Sequence, residues 1–548
     1  MSPSPLPSDD ALAEIEREVI DHVFELHPGY AITLGRHEYD GRLARVDRES
    51  TDRWLAGSDR LLQRLRDPEL ERLAPGRRLD RTLLDLLLDG ANFDLRERGE
   101  YDRNPMVYLG ALSLTAYTVR PYAPLSERAS AMVHLLEQVP RWLSDGERRL
   151  LPSIPLPFLD LAANMGAGLP AHFAECEKLV RAELPLLAEP LGAARSAADE
   201  ALRHFLAELE TRFRPRASPD FALGRKLYQR LLWVREGMTL TPEELRAWGE
   251  ADLRKNRARL EELAHQASPP RSASELVPSV TSDHGTAAEL IPTARNFVAE
   301  AERWLRTSGI ISVPSTVLCR VEETPIFGRA LSTASMDSPG PFEGEGADGV
   351  YYVTPVDPAW SPTEQEEWLR SLCRPILRNI TVHEVYPGHY LQFLHLRQSA
   401  ISLTRRVALS TSFVEGWAHY CEQLAIEERF GGSDPAFEAV QLQDALLRDC
   451  RLISSVGLHC QGMSLEESAA LFQREALSEP LQARREAIRG SFDPDYFGYT
   501  LGKLEILRQR AARLEPGPEG LRRFHDRLLS FGCPPVGLLD TLFASVSG

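Results

Sequence analysis

The stretch NITVHEVYPGHYLQ, residues 379–392, decides how this chain is read. It lies in a long region of helical periodicity and carries two histidines, His383 and His389, with Glu384 directly after the first. Their separation is 389 − 383 = 6 residues. On an unbroken α-helix that spacing sets the rings about 120° apart with roughly 9 Å of rise, too far to share one ion easily. Between them stand Pro387 and Gly388. Proline has no N–H to donate and clashes with the preceding turn. Tyr386 before it is pushed away from helical geometry, and Gly388 accepts almost any backbone conformation. The pair predicts that two residues bulge out here, returning His389 to the face that position i+4 would occupy.

With that bulge the segment resembles the zinc-peptidase motif H-E-x-x-H, in which two imidazoles on one helix face grip one cation. Glu384 then stands beside the metal rather than on it, placed to act as general base. A catalytic zinc needs a third protein ligand and an open position. SFVEGWAHYCE, residues 412–422, offers one, because Glu415, His419 and Glu422 fall at i, i+4 and i+7 of an otherwise apolar helix. Glu415 is the expected ligand, and His419 and Glu422 the residues that orient the ligands. By contrast, the pair His37-Glu38 has no partner motif and reads as coincidence, and His395 reads as a packed residue.

Outward from these motifs, helix dominates. Residues 8–28 carry Leu12, Ile15, Val19, Ile20 and Val23 on one side, and Pro28-Gly29 ends the run. Stretches 51–70, 78–98, 126–150, 193–213 and 219–236 show the same pattern. Thr241-Pro242-Glu243-Glu244 opens a helix that continues to about 266, by a capping box with proline at the first position. Ser361–Glu364 and Ser464–Glu467 repeat that logic. Residues 267–285 read as a surface connection with a short helix, followed by helix over 287–307. The pattern changes at Ser312–Val321 and Gly349–Pro355, β-rich runs separated by the loop SPGPFEGEGADG. They predict a small antiparallel sheet just before the chemical motif. We read one large, mainly α domain, with a helical half over about 1–240 and a catalytic half over about 241–548.

Lys and Arg total 63 against 80 Asp and Glu, for a net charge of −17. An acidic surface repels phosphate backbones, so nucleic acid is excluded as the expected partner. Seven scattered cysteines without a Cys-x-x-Cys pair argue against a disulfide framework and a cysteine-built zinc site. A reducing cytoplasm is the expected location. No secretory signal and no run of about 18 apolar residues is evident, so a membrane span is not expected.

Several stretches together resemble the bacterial family called domain of unknown function 885, distantly similar to thimet oligopeptidase and carboxypeptidase Taq. They are Tyr30–Asp40, Leu223–Leu232, His383–His389 with Gln392, Glu415–Ala418, and Tyr499–Ile506 with Arg508. The resemblance implies a gluzincin-like helical fold with a cleft between helical halves, and zinc on His383, His389 and Glu415 with Glu384 as base. It implies Tyr499 as donor to the oxyanion, and an edge strand at Val350–Thr354 that docks substrate backbone. Gln392, Tyr390 and Arg508 become candidates for shaping the substrate pocket. Two departures bear on that pocket: Tyr390 stands where relatives often have histidine, and 493–498 lacks their Pro-Gly-Gln.

The reading is a zinc hydrolase cleaving an amide bond in a short peptide or modified amino acid. One rival is a zinc enzyme of specialised metabolism acting on a non-peptide substrate as an amidohydrolase, lyase or hydratase. The other is a non-catalytic binding protein on a peptidase scaffold. The sequence leaves the oligomeric state open.

Overall fold

The computed structural model describes residues 9–314, 319–325, 329, 332–344 and 347–545. The fold is mainly helical, with one small open sheet of three strands. Local rules explain most of the helices. Leu12, Ile15, Val19, Ile20 and Val23 are all buried on helix Asp9–Leu26. The capping boxes at Thr241, Ser361 and Ser464 each close with the glutamate three residues on, satisfying orphan N–H groups of the first turn. The short helix in the 267–285 connection is Ala273–Val280, also opened by a capping box. Helix Leu156–Glu183 escaped the periodicity reading because Gly166, Gly168 and Pro170 punctuate its middle. Gly166 is there for closeness: a Cβ would lie 2.5 Å from the Leu206 side chain of helix Pro185–Glu208. No helix among the described residues is long and apolar enough to cross a membrane.

The chain divides into two compact units. The first is Met1–Leu223 with Gly340–Ala347, and the second is Gly224–Pro339 with Asp348–Ser547. Helix Gly224–Glu236, which periodicity grouped with the N-terminal half, belongs to the second unit. There its Tyr228 hydroxyl meets Ser455 at 2.7 Å in the interior.

The elements of the second unit that bear on the site are numbered here in chain order. They are α1 (Gly224–Glu236), α2 (Pro242–Gln266), β1 (Arg320–Glu323), β2 (Ala334–Asp337), β3 (Val350–Val353), α3 (Arg374–Glu384) and α4 (His389–Gln398). After them come α5 (Thr411–Glu427), α6 (Pro435–Cys460), α7 (Pro480–Phe492) and α8 (Gly498–Arg513). Helix α6 is the hub, packed against α1, α2, α3, α7 and α8.

The sheet corrects the expectation from sequence. Its order is β1-β3-β2, with β3 parallel to β1 and antiparallel to β2. Strand direction alternates along the chain, but β3 inserts between the other two, and periodicity cannot reveal that order. β1 begins only at Arg320, and residues 315–318 of the expected first strand lie outside the described residues. β2 reads ASMD, with no β-branched residue to announce it. Val350–Thr354 is not an edge: all four residues of β3 are buried and paired on both sides, so that run has no free edge for a substrate.

In the first unit, Gly340–Ala347 returns to the turn after helix Pro28–Thr33. Phe342 N–H donates to Leu34 O at 2.9 Å, and a Cβ on Gly340 would lie 2.3 Å from the Leu34 carbonyl carbon. His37 pins the same place. Its ring nitrogens meet Asp40 and Glu343, each at 3.2 Å, and its ring stacks on Tyr122 with centroids 3.6 Å apart. Burial alone would lower the His37 pKa, but the hydrogen bonds to Asp40 and Glu343 outweigh it and raise it to about 9. His37 thus serves as a cation between two acids, while Glu38 pairs with Arg36 instead.

A raised folded-state pKa adds stability that is full below the unfolded value near 6.5 and lost as pH climbs through about 9. The stability difference between wild type and His37→Gln, read by denaturant titration, should be largest near pH 6, fall between about pH 6.5 and 9, and be gone above about pH 9. A difference independent of pH would contradict this.

Candidate metal centre

The expected interruption is present. Helix α3 stops at Glu384, Val385 leaves helical geometry (φ −116°, ψ −80°), and α4 starts at His389 after Gly388 (φ −69°, ψ −135°). The backbone hydrogen bonds show what was inserted. Gly388 N–H donates to Val382 O at 3.0 Å and Leu391 N–H to Val385 O at 3.2 Å. Each spans six residues where a helix spans four, so two residues are looped out while the ladder continues across them. The loop is tight enough to specify glycine: a Cβ at position 388 would sit 1.8 Å from the His383 carbonyl oxygen.

The loop brings the two imidazoles together, with ring centroids 4.8 Å apart and planes at 85°. Glu415 comes from α5. Its Oε2 lies 3.5 Å from His383 Nε2 and 3.6 Å from His389 Nε2. Bonds of about 2.0–2.2 Å in a tetrahedral site place neighbouring ligand atoms roughly 3.3–3.5 Å apart. The spacing, and a donor set of two imidazoles and one carboxylate, fit zinc with its fourth position open. Among the described residues this is the one group of His, Cys, Asp or Glu side chains close enough together to hold a metal.

Three features of α5 fix Glu415. Ser410 caps its N-terminus by accepting from Phe413 N–H at 3.2 Å. Gly416 and Gly502 let α5 and α8 touch backbone to backbone: a Cβ at 416 would lie 2.4 Å from Gly502 Cα, and one at 502 would lie 1.8 Å from Ser412 O. Trp417, two residues past Glu415, donates its indole N–H to Pro387 O at 2.9 Å. The Cys421 thiol lies 3.5 Å from the same oxygen. The helix that carries Glu415 thus also holds the loop that aligns the two histidines.

Glu422 lies beneath. Its Oε1 accepts from His383 Nδ1 at 2.7 Å, so that once Nε2 gives up its proton, its lone pair would face a cation. Arg448 reaches both Glu422 oxygens, at 2.9 and 3.1 Å, and Asn379 donates to Oε2 at 3.3 Å. Burial pushes the Glu422 pKa up, but Arg448 and the histidines hold it well below the usual carboxylate range. Burial likewise opposes the ionised form of Glu415, yet His383 and His389 hold its carboxyl far down. His383 is lowered by burial and raised more strongly by Glu415 and Glu422, to about 10. The two acids therefore hold a positive charge at this point, a role that a divalent cation bound here would take over.

Glu384 is not drawn into the ligand set. Its Oε2 accepts from the Met336 N–H of β2 at 3.0 Å. His419 is fully buried, with Nδ1 3.5 Å from Glu422. Burial, helped by Lys503, lowers its pKa to about 3, so it is a neutral support for Glu422. Tyr499 lies in a ring of arginines, 5.6 Å from Arg448, 5.0 Å from Arg451 and 6.0 Å from Arg489, each measured to its centroid.

Three candidates for the pocket are placed otherwise. Gln392 is buried and reaches Phe413 O at 3.5 Å. Tyr390 is buried edge-to-face on Tyr386, its ring filling the space where Gly349 has no side chain. Arg508 pairs with Glu505 and Asp540. It stands nine residues past Tyr499, about 900° of helix rotation and hence on the opposite face of α8. Sequence reasoning missed Arg448, Arg451 and Asn379. The signal was present: Asp444, Arg448 and Arg451 form a charged stripe at i, i+4 and i+7 on apolar α6, the same pattern that exposed Glu415–Glu422.

Comparison with known proteins agrees in fold. Residues 28–542 match the family model described as "Bacterial protein of unknown function (DUF885)". No curated protein matches the chain. A candidate lipoprotein of unknown function from Shewanella oneidensis superposes with a TM-score of 0.81 at 22% identity, covering 97% of this chain and 99% of that one. One from Colwellia psychrerythraea gives 0.79 at 16% identity, covering 99% of both.

Metal analysis of the purified protein should find one zinc per chain. Gly388→Ala should lose it, since the added methyl cannot coexist with the His383 carbonyl. Glu422→Gln should weaken zinc binding by about 10- to 100-fold in a competition titration. Full zinc content in Gly388→Ala would contradict the geometry.

Proposed function

The chain belongs to the DUF885 family of bacterial proteins of unknown function, and we propose that it is a zinc-dependent hydrolase of amide bonds in short peptides or modified amino acids. The observation that carries this reading is the convergence of His383, His389 and Glu415 with Glu384 adjacent and outside the ligand set. A helix-borne His-Glu pair, a second histidine from the same face and a glutamate from a later helix is the plan of a gluzincin-like peptidase. Zinc bound there supplies a Lewis acid that polarises the scissile carbonyl and acidifies water.

The chain's own groups do the rest. Met336 N–H holds Glu384 Oε2 and leaves the other oxygen to take a proton from the attacking water and pass it to the leaving amine. Tyr499 keeps its proton, because burial and then the charge of Glu415 raise its pKa. A protonated phenol can donate to the developing oxyanion. With β3 in the centre of the sheet, β2 takes over the role of docking strand. Among the described strands it lies at the sheet edge, beside β3, and it touches Glu384 directly.

Glu384→Gln should retain one zinc and lose about 10²- to 10⁴-fold in kcat on a pool of short peptides, followed by mass spectrometry. Tyr499→Phe should lower kcat by about 10²-fold with KM little changed. Wild-type turnover in Glu384→Gln would rule out this mechanism, and a zinc-loaded wild type inert toward all amides would favour a non-peptide substrate.

A further inference from the structure

The ring of arginines around Tyr499 has one member unlike the others. Three guanidinium groups so close repel one another, and each needs an anion nearby. Arg448 is matched by Glu422 at 2.9 Å. Arg451 forms a two-pronged pair with Glu486, at 2.8 Å on both prongs. Those side chains are between 0% and 13% exposed, so both pairs belong to the interior. Arg489, on α7, meets Asp493 through Nε alone at 3.0 Å, and its side chain is 35% exposed. Among the described residues no acid pairs its terminal nitrogens, and its guanidinium carbon stands 6.0 Å from the Tyr499 ring centroid.

This half-buried cation is tied closely to the candidate metal centre. Tyr499 feels the charge of Glu415, and Arg448, on the same ring, stands 3.4 Å from His383 Nδ1. A guanidinium whose terminal nitrogens have no acid partner is a planar fork that fits a carboxylate. An ammonium group would find no such partner here, since Glu422 and Glu486 are already paired with arginines.

We propose that Arg489 binds a free carboxylate of the substrate, so that the enzyme cleaves the amide bond next to a C-terminal carboxylate, releasing one residue from the end of a peptide or from an N-acyl amino acid. This rests on the hydrolase reading above. In the reaction water adds to the acyl carbon, the C–N bond breaks, and the amino acid leaves with its carboxylate still on Arg489 and its nitrogen protonated.

The test uses a pool of N-acetyl dipeptides with varied side chains, prepared as free acids and as C-terminal amides. Zinc-loaded wild type should cleave the acids about 10- to 100-fold more efficiently, the factor expected of a charge-assisted hydrogen bond. Arg489→Gln, checked for one zinc per chain, should abolish that preference through a raised KM for the acids. Arg489→Lys should restore part of it. Independently of turnover, zinc-loaded Glu384→Gln protein should retain the acids over the amides in equilibrium dialysis, and the double variant with Arg489→Gln should not. Equal cleavage and retention of both forms would overturn this proposal and leave the hydrolase reading standing. Failure to cleave or retain either form would overturn both.

Discussion

The contact between Gly388 and the His383 carbonyl governs everything downstream. A helix that gains two residues normally rotates everything after it by about 200° and would carry His389 to another face. Here the backbone folds so tightly on itself that no side chain fits at 388, and the hydrogen-bond ladder resumes across the insertion. The loop does not hold this shape unaided. Its Pro387 carbonyl is anchored by Trp417 and Cys421, both on the helix that carries Glu415. The three candidate ligands are therefore positioned by one connected piece of backbone.

Electrostatics then sets the character of the site. Glu422 is fully buried, and a buried carboxylate survives only with partners that favour its charge. Arg448, Asn379 and His383 supply them. Because His383 gives its Nδ1 to Glu422, the tautomer with Nε2 directed toward Glu415 and His389 is selected. The same Arg448 touches the ring of arginines around Tyr499. One buried ion pair thus joins the ligand side of the site to the side assigned to the substrate.

Much of this was legible in the sequence, for identifiable reasons. Helix starts were announced by local chemistry, as at Thr241 and Ser361, where the cap and the glutamate lie within one turn. The Pro-Gly interruption and the Glu415–Glu422 stripe are likewise local signals, and the structure joins them as expected. What could not be read depends on which element lies beside which. β3, the short run VYYV, reads as a strand, but nothing in the run tells which neighbours it inserts between. Tyr390 and Gln392 follow a candidate ligand in sequence yet are buried, Tyr390 against Gly349 and Gln392 against Phe413 of α5. Helix Leu156–Glu183 hid behind glycines whose purpose is close packing, visible only once its neighbour is in place.

Crystals grown with zinc and measured on both sides of its absorption edge test the central claim most directly. One anomalous peak is expected, bonded to His383 Nε2, His389 Nε2 and a Glu415 oxygen at about 2.0–2.2 Å, with Glu384 outside bonding distance. A peak elsewhere, or none at full zinc loading, would contradict the account.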